Sequence, residues 1–200
     1  MKKQIIITIG RQFGSGGLAV AKKLGDKLGI PVYDNELITK AAQDSGFSAE
    51  LFVRNDEKKS FFSFSSLFSE SDSYMSDSGL FKIQCETIKK IAEQGSAVIV
   101  GRCSDYVLRE SGCTLDVFLT APMETRAERI MERAGVDMEK ALEMIEKKDA
   151  SRAEYYNYYT FGNWGVASTY DLCIDSSILG LEGTADFIIE FAKRAGLIDE

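Results

Sequence analysis

The sequence predicts an α/β fold of three layers, a five-stranded parallel sheet with helices on both faces, and three observations lead there. Residues Ile5 to Ile9 form a short β-branched run of the kind found in strands buried on both faces, and the run stops at Gly10. Helical spacing then takes over, with Val20, Leu24 and Leu28 four apart, until Gly29 and Pro31 end it and a second short strand follows at residues 31 to 33. Strand, glycine loop, helix and strand in so short a span make a βαβ unit, which imposes parallel pairing. The third observation is that the same alternation of apolar strand and amphipathic helix continues to the end of the chain.

Phe81, Ile88, Ile91 and Ala92 mark one face of a helix that leads into the strand at residues 97 to 100. Leu115 to Leu119 is the next strand, and a helix is expected from Pro122, where a missing N–H costs nothing, to about Arg133. Asp137 is placed to cap a long helix running to about Tyr159. Tyr170 to Ile174 reads as the fifth strand, and Thr184 to Ala195 as a closing helix with Ala185, Ile188 and Ala192 on one face.

Composition narrows the function. The 200 residues are 44% apolar, enough for one ordinary core, and one domain over residues 1–200 is expected. No apolar run approaches the roughly 20 residues of a membrane span, and the stretch before Gly10 is too short for a signal peptide, so a cytoplasmic protein is expected. With no histidine and four cysteines lacking any C-x-x-C pair, zinc sites of ordinary spacing and His-dependent triads are excluded. The net charge of −7 argues against nucleic acid or membrane as partner, and an anionic ligand needs a local cluster of donors and cations.

One stretch breaks the pattern. Residues 59 to 79 are dense in serine, with Phe61, Phe62, Phe64 and Phe68 among them, and show no sustained period. Long irregular segments tend to be functional or disordered, and so many phenylalanines oppose disorder. A flap over the site and a surface that docks a second subunit in a homodimer are both open.

The ligand cluster is expected at residues 10 to 17, Gly-Arg-Gln-Phe-Gly-Ser-Gly-Gly, between a buried strand and a helix start. Such a loop turns several backbone N–H groups toward one point, and the helix dipole adds positive potential there. Two signatures overlap. As a dinucleotide fingerprint, Gly14, Gly16 and Ala19 give G-x-G-x-x-A, and Asp34 stands 20 residues beyond Gly14, where a ribose-binding acid belongs. As a mononucleotide loop, the lead-in between Ile9 and Gly14 has the right length. The pattern G-x-x-x-x-G-K-[ST] then puts Arg11 at the first glycine, Gly17 at the lysine and Leu18 at the hydroxyl residue that holds Mg²⁺.

Taken end to end, the sequence resembles the cytidylate kinases, and most closely the cytidylate kinase-like branch. The resemblance rests on G-S-G followed by A-V-A-K-K-L, on G-I-P-V-Y-D at 29 to 34, on V-I-V-G-R at 98 to 102 and on F-L-T-A-P at 118 to 122 with Arg126 and Arg129. Asp149 with Arg152, and Y-D-L-C-I-D at 170 to 175, complete it. It implies a P-loop NTPase-type three-layer sandwich with a helical lid over about residues 134 to 165, and transfer of the terminal phosphoryl group of ATP to CMP or dCMP.

Carried over residue by residue, the resemblance puts Gly14, Ser15, Gly16, Gly17 and Leu18 on the donor phosphates. Arg129 and Arg133 fall at the base of the lid, although by helical spacing Arg126, Arg129 and Arg133 would by default form a solvated face. Asp34 matches the family's acid after the second strand, and Lys40 falls where an arginine for the acceptor phosphate belongs. Gly101 and Arg102 begin a Gly-Arg-Asp acceptor motif whose acid is replaced by Cys103, with Asp105 two residues on. Arg152 is retained in the lid, while Ile145 and Glu146 replace an Arg-Asp pair, with Lys147 and Lys148 nearby. Since phosphoryl transfer needs positive charge on the β- and γ-oxygens, Arg11 and Arg152 are the catalytic candidates. Mg²⁺ is expected to be carried largely by the phosphates. The rival readings are a nucleotide sensor without catalysis, from Gly17 and Leu18, and an NAD(P)-dependent oxidoreductase, from G-x-G-x-x-A with Asp34.

Overall fold

The computed structural model of the protein describes residues 3–44 and 78–199, so nearly all of the serine- and phenylalanine-rich stretch lies outside the described residues. Five strands form one parallel sheet: β1 Ile6–Arg11, β2 Val32–Tyr33, β3 Ala97–Val100, β4 Thr114–Thr120 and β5 Leu172–Asp175. Their spatial order is β2-β3-β1-β4-β5. β1 is central because its apolar residues point both ways: Ile5, Ile7 and Ile9 enter one core, and Ile6 enters the other.

The first core is closed by α1 (Gly17–Leu28), through Val20, Ala21 and Leu24, and by the last described helix, Gly180–Arg194, through Ala185, Ile188 and Ala192. On the opposite face lie α2 (Asn35–Asp44), α3 (Ser78–Gln94) and the short α4 (Ser104–Leu108), whose Ile38, Ile88, Ile91 and Leu108 pack on Ile6, Ala97 and Ile99. Three layers result. A third apolar cluster joins α5 (Met123–Ala134) to α6 (Met138–Thr160) through Ala127, Ile130, Ala141 and Ile145, with Phe13 of the glycine loop packed against it. The closing helix is α7.

Most elements fall where periodicity puts them. Asp137 caps α6 by accepting a bond from the Lys140 N–H at 2.8 Å. Pro122 stands one residue before the first turn of α5, not inside it. α7 begins at Gly180, four residues earlier than expected, with Gly180 and Gly183 in its first turn. The short α4 has no period to reveal it.

The consequential difference is in strand pairing. The opening βαβ unit is parallel as expected, but β3 stands between its two strands: β2 pairs with β3 through Val32↔Val98 and Tyr33↔Ile99, and β1 pairs with β3 and β4. In the dinucleotide fold the second strand lies directly beside the first, which brings its terminal acid to the ribose. Here Asp34 is a full strand further away, and the dinucleotide reading of Gly14, Gly16, Ala19 and Asp34 loses its geometry.

Candidate active site

The glycine loop follows β1 directly. Gly14 and Gly16 both have φ near +83°, a left-handed backbone that side chains rarely adopt, and Gly16 is the N-cap of α1. A Cβ on Gly14 would also lie 2.8 Å from the Arg126 carbonyl oxygen, so α5 packs straight onto the loop backbone. The loop is braced at every turn. Gln12 N–H bonds Leu119 O at 3.0 Å, Ser15 Oγ donates to Gln12 O at 2.9 Å, and Arg129 Nη1 reaches Gly14 O at 3.4 Å and Ser176 Oγ at 3.1 Å. Ser176 Oγ in turn donates to Ser15 O at 2.6 Å. Fixed in this way, the loop brings the open N–H groups of the α1 N-terminus to one place without the entropy of ordering them on binding.

A second tier fixes the loop to α6. Asp149 accepts from Phe13 N–H at 2.6 Å through Oδ1 and from Arg126 Nη1 at 2.6 Å through Oδ2. Arg126 is only 5% exposed, so the solvated-face default fails for it: this arginine turns inward because the loop and Asp149 supply its partners. Arg129 is half-buried on the loop, and Arg133 is exposed, with its guanidinium 5.2 Å from the centre of the Phe13 ring. Arg152 lies 5.3 Å from the same ring.

Beside this loop, at the C-terminal ends of β1 and β3, is a pocket lined by Gly10, Arg11, Asn35, Gly101, Arg102, Asp105, Lys148, Ser151, Arg152 and the aromatic residues Tyr155, Tyr156, Trp164 and Tyr170, with Cys103 behind them. Ligands of open parallel sheets bind at such strand ends. Four cations on a chain of net charge −7 make it the local positive site that an anion requires.

The turn after β3 aims Arg102 into the pocket. Gly101, Arg102 and Cys103 all have positive φ, at 76°, 56° and 56°. Two successive non-glycine residues in that region cost of the order of 1–3 kcal/mol each, a strain that collects at functional sites. Arg102 Nε donates to Asn35 Oδ1, and its guanidinium lies 5.3 Å from the Tyr155 ring centre. Tyr155 is itself held by a 2.6 Å bond to Gln84 Oε1 from α3.

Beneath the cations the pocket floor carries a partly buried acid, Asp105. Tyr156 donates to Asp105 Oδ2 at 2.7 Å, yet burial still pushes the Asp105 carboxyl up from the usual range. Burial also raises the Cys103 thiol, which stays protonated and unreactive. Outside the pocket lining, burial lifts Asp116 of β4 to about 6 against the opposing bond from Thr8 Oγ1 at 2.6 Å, with Asp105 and Asp171 adding repulsion.

The structure thus brings Arg11, Arg102, Asp105 and Arg152 together in one pocket and sets Gly14 to Leu18 beside it. Arg129 and Arg133 stand behind the loop. Asp34 is elsewhere: its Oδ1 accepts from Leu37 N–H at 3.0 Å and caps α2, and the neighbouring Asn35 lines the pocket. Lys40 is exposed on α2 and is not among the lining residues. Asn35, Ser151 and the buried Gln84 carry no motif that would have singled them out; only the left-handed turn at 101 to 103 and the long capped helix place them.

Position 18 offers Mg²⁺ no oxygen, and the Ser15 hydroxyl is engaged with Gln12. Among the described residues no group of three or more acids, histidines or cysteines is arranged to hold a metal ion. These residues do not fit a protein-held ion. No described helix is long and apolar enough to cross a membrane.

Comparison with known proteins agrees with this geometry. The profile of the cytidylate kinase-like family matches residues 6–178. A cytidylate kinase of Methanopyrus kandleri is 29% identical over 182 residues, 86% of this chain and 85% of that one. One of Methanocaldococcus jannaschii is 29% identical over 188 residues, 92% and 95% of the two chains. Among solved structures, an uncharacterized protein of Eubacterium ventriosum superimposes with TM-score 0.76 at 35% identity, covering 96% of this chain and 99% of that one. Shikimate kinase of Acinetobacter baumannii, with TM-score 0.55 at 12% identity over 96% and 94%, shares the fold. A kinase fold with β3 between β1 and β2, a braced glycine loop after β1 and a family match over most of its length leave one assignment: the chain belongs to the cytidylate kinase-like family, as a nucleoside monophosphate kinase-like enzyme.

Proposed function

We propose that the protein transfers the terminal phosphoryl group of ATP to a cytidylate-like nucleoside monophosphate, CMP or dCMP. The observation that carries this reading is the convergence of Arg11, Arg102, Lys148 and Arg152 on one pocket beside the loop at 14 to 18. The N–H groups of Gly14 to Leu18 hold the donor phosphates, and Arg129 keeps that loop in shape from behind. Arg133 extends the positive surface beside Phe13. Arg102, oriented by Asn35 and Tyr155, takes the acceptor phosphate; Asp105 faces the acceptor from the pocket floor. Asp34 serves the acceptor through the helix it caps, and Lys40 adds charge from the exposed side of that helix.

An oxygen of the acceptor phosphate attacks the γ-phosphorus as the bond from that phosphorus to the β–γ bridging oxygen breaks, and ADP leaves with the electron pair. The attacking oxygen is already ionised at neutral pH, so no general base is needed and the protein's task is positioning and charge. Arg11 and Arg152 supply that charge. Mg²⁺ arrives on the ATP phosphates.

Ligand-induced thermal stabilisation tests the reading. ATP and CMP should each raise Tm, and NAD should leave it unchanged. Stabilisation by NAD alone would refute the proposal.

A further inference from the structure

Gly14 and Gly16 are glycines because their backbones require it, but Gly17 is not. It begins α1 outside the left-handed region, where glycine is a poor helix residue. What forbids a side chain there is Arg11. A Cβ on Gly17 would lie 2.7 Å from Arg11 Cγ and 2.8 Å from Arg11 Cβ. Those two atoms sit next to the β1 backbone, which is held in register opposite Leu119 of β4 and cannot retreat. The outer end of the same side chain fills a second vacated space: a Cβ on Gly101 would lie 2.0 Å from Arg11 Nη1 and 2.8 Å from Cζ.

Arg11 therefore runs from the end of β1, past Gly17 at the start of α1, to Gly101 just after β3, and lines the pocket along the way. In the spacing G-x-x-x-x-G-K, position 11 belongs to the first glycine and position 17 to the lysine. This chain has the cation at 11 and the glycine at 17.

Resting on the phosphoryl-transfer reading above, we propose that Arg11 is the relocated cation of this loop. Gly17 is the space that its relocation requires, Gly101 is a glycine for its left-handed backbone and leaves room for the guanidinium, and that guanidinium binds the donor polyphosphate at the boundary with the acceptor pocket. The loop is complete in a different arrangement, not decayed. A guanidinium reaching from the strand presents a planar fork to two phosphate oxygens, where a lysine presents a point charge.

A double-mutant cycle between positions 11 and 17 tests this. Without ligand, Gly17→Ala should lower Tm in the parent and leave it unchanged or raise it in the Arg11→Gly background; additive shifts would overturn the steric pairing. In turnover of ATP with CMP, Arg11→Gly should lower kcat by about a hundredfold or more, and Gly17→Lys alone should not raise it. The combination Arg11→Gly with Gly17→Lys restores the ordinary spacing and should recover about tenfold or more over Arg11→Gly. A combination no more active than Arg11→Gly alone would contradict the relocation.

Arg11→Met keeps the stem against Gly17 and removes the guanidinium. Stabilisation by tripolyphosphate, read against the variant's own ligand-free Tm, should be lost, and retained stabilisation would contradict the phosphate role. If the parent transferred phosphate to no monophosphate, the functional reading would fail, while the Tm cycle and the tripolyphosphate measurement would still decide the case for Arg11.

Discussion

Arg152 Nη1 donates to the backbone oxygen of Arg11 at 3.3 Å, so the α6 residue expected to close over the phosphates touches the end of β1 where the other catalytic candidate begins. The same guanidinium lies 3.9 Å from Asp149 Oδ1 on its own helix. Two pocket-lining arginines that are 141 residues apart in sequence are thereby tied together through a main-chain oxygen.

Replacing Arg152 by alanine should lower kcat for ATP-dependent transfer by about 10²–10³-fold, the usual effect of removing one donor aimed at developing charge. Its Tm should fall only slightly, since Arg126 and Phe13 still hold Asp149. Steady-state kinetics with a parallel melting curve separate the two effects. Unchanged turnover in this variant would remove Arg152 from the mechanism.

Asp149→Ala should act in the opposite sense, chiefly on stability. Arg126 is buried, its Nε has no hydrogen-bond partner among the described residues, and Asp149 is its counter-charge. Removing one partner of a buried pair leaves the other charge uncompensated, at about 3–5 kcal/mol, to which the lost Phe13 N–H bond adds. Urea unfolding should show this loss, and Arg126→Met together with Asp149→Ala should recover part of it.

Asp116 sets a pH dependence of stability. Its carboxyl is raised from 3.8 unfolded to about 6 folded, first by burial. Below pH 3.8 both states are protonated and the group has no effect. Between pH 4 and 6 the unfolded chain loses the proton that the folded protein keeps, so stability falls with rising pH, and above about 6 the loss is complete. Asp116→Asn keeps an oxygen for Thr8 Oγ1 and removes the charge. It should raise Tm at pH 7.5 by about 2–4 °C, the effect of about 1 kcal/mol in a chain of this size, with no gain at pH 4.

Arg102 occupies a backbone conformation that suits glycine, so Arg102→Gly relieves local strain while losing the bond to Asn35. Tm should stay within a few degrees of the parent. KM for the acceptor should rise about tenfold or more while KM for ATP stays nearly constant. Equal increases in both would place Arg102 on the donor instead.

β1 and β3 were legible because they are continuous apolar runs, a direct consequence of burial on both faces, the less buried β2 and β5 because they alternate with helices, and α6 because Asp137 starts it and its length leaves no alternative. Strand order was not legible: nothing in residues 31 to 33 distinguishes a strand beside β1 from one beside β3. The loop could be read from its glycines, and Arg102 from its place after a buried strand. Arg126 was misjudged because an i, i+3 series of arginines beside glutamates has the same pattern whether it faces water or a loop carbonyl. The exchange between Arg11 and Gly17 is a relation across space, and spacing rules register it only as two mismatches.

Phosphoryl transfer at the pocket between β1 and β3 is read most directly from its products. Purified protein with ATP and Mg²⁺ should convert CMP or dCMP to the diphosphate with stoichiometric ADP, followed by separation of the products. Turnover should be found on at least one of these acceptors and should fall about a hundredfold or more in Arg152→Ala. Binding of ATP without transfer to any nucleoside monophosphate would contradict it and leave a nucleotide sensor in its place.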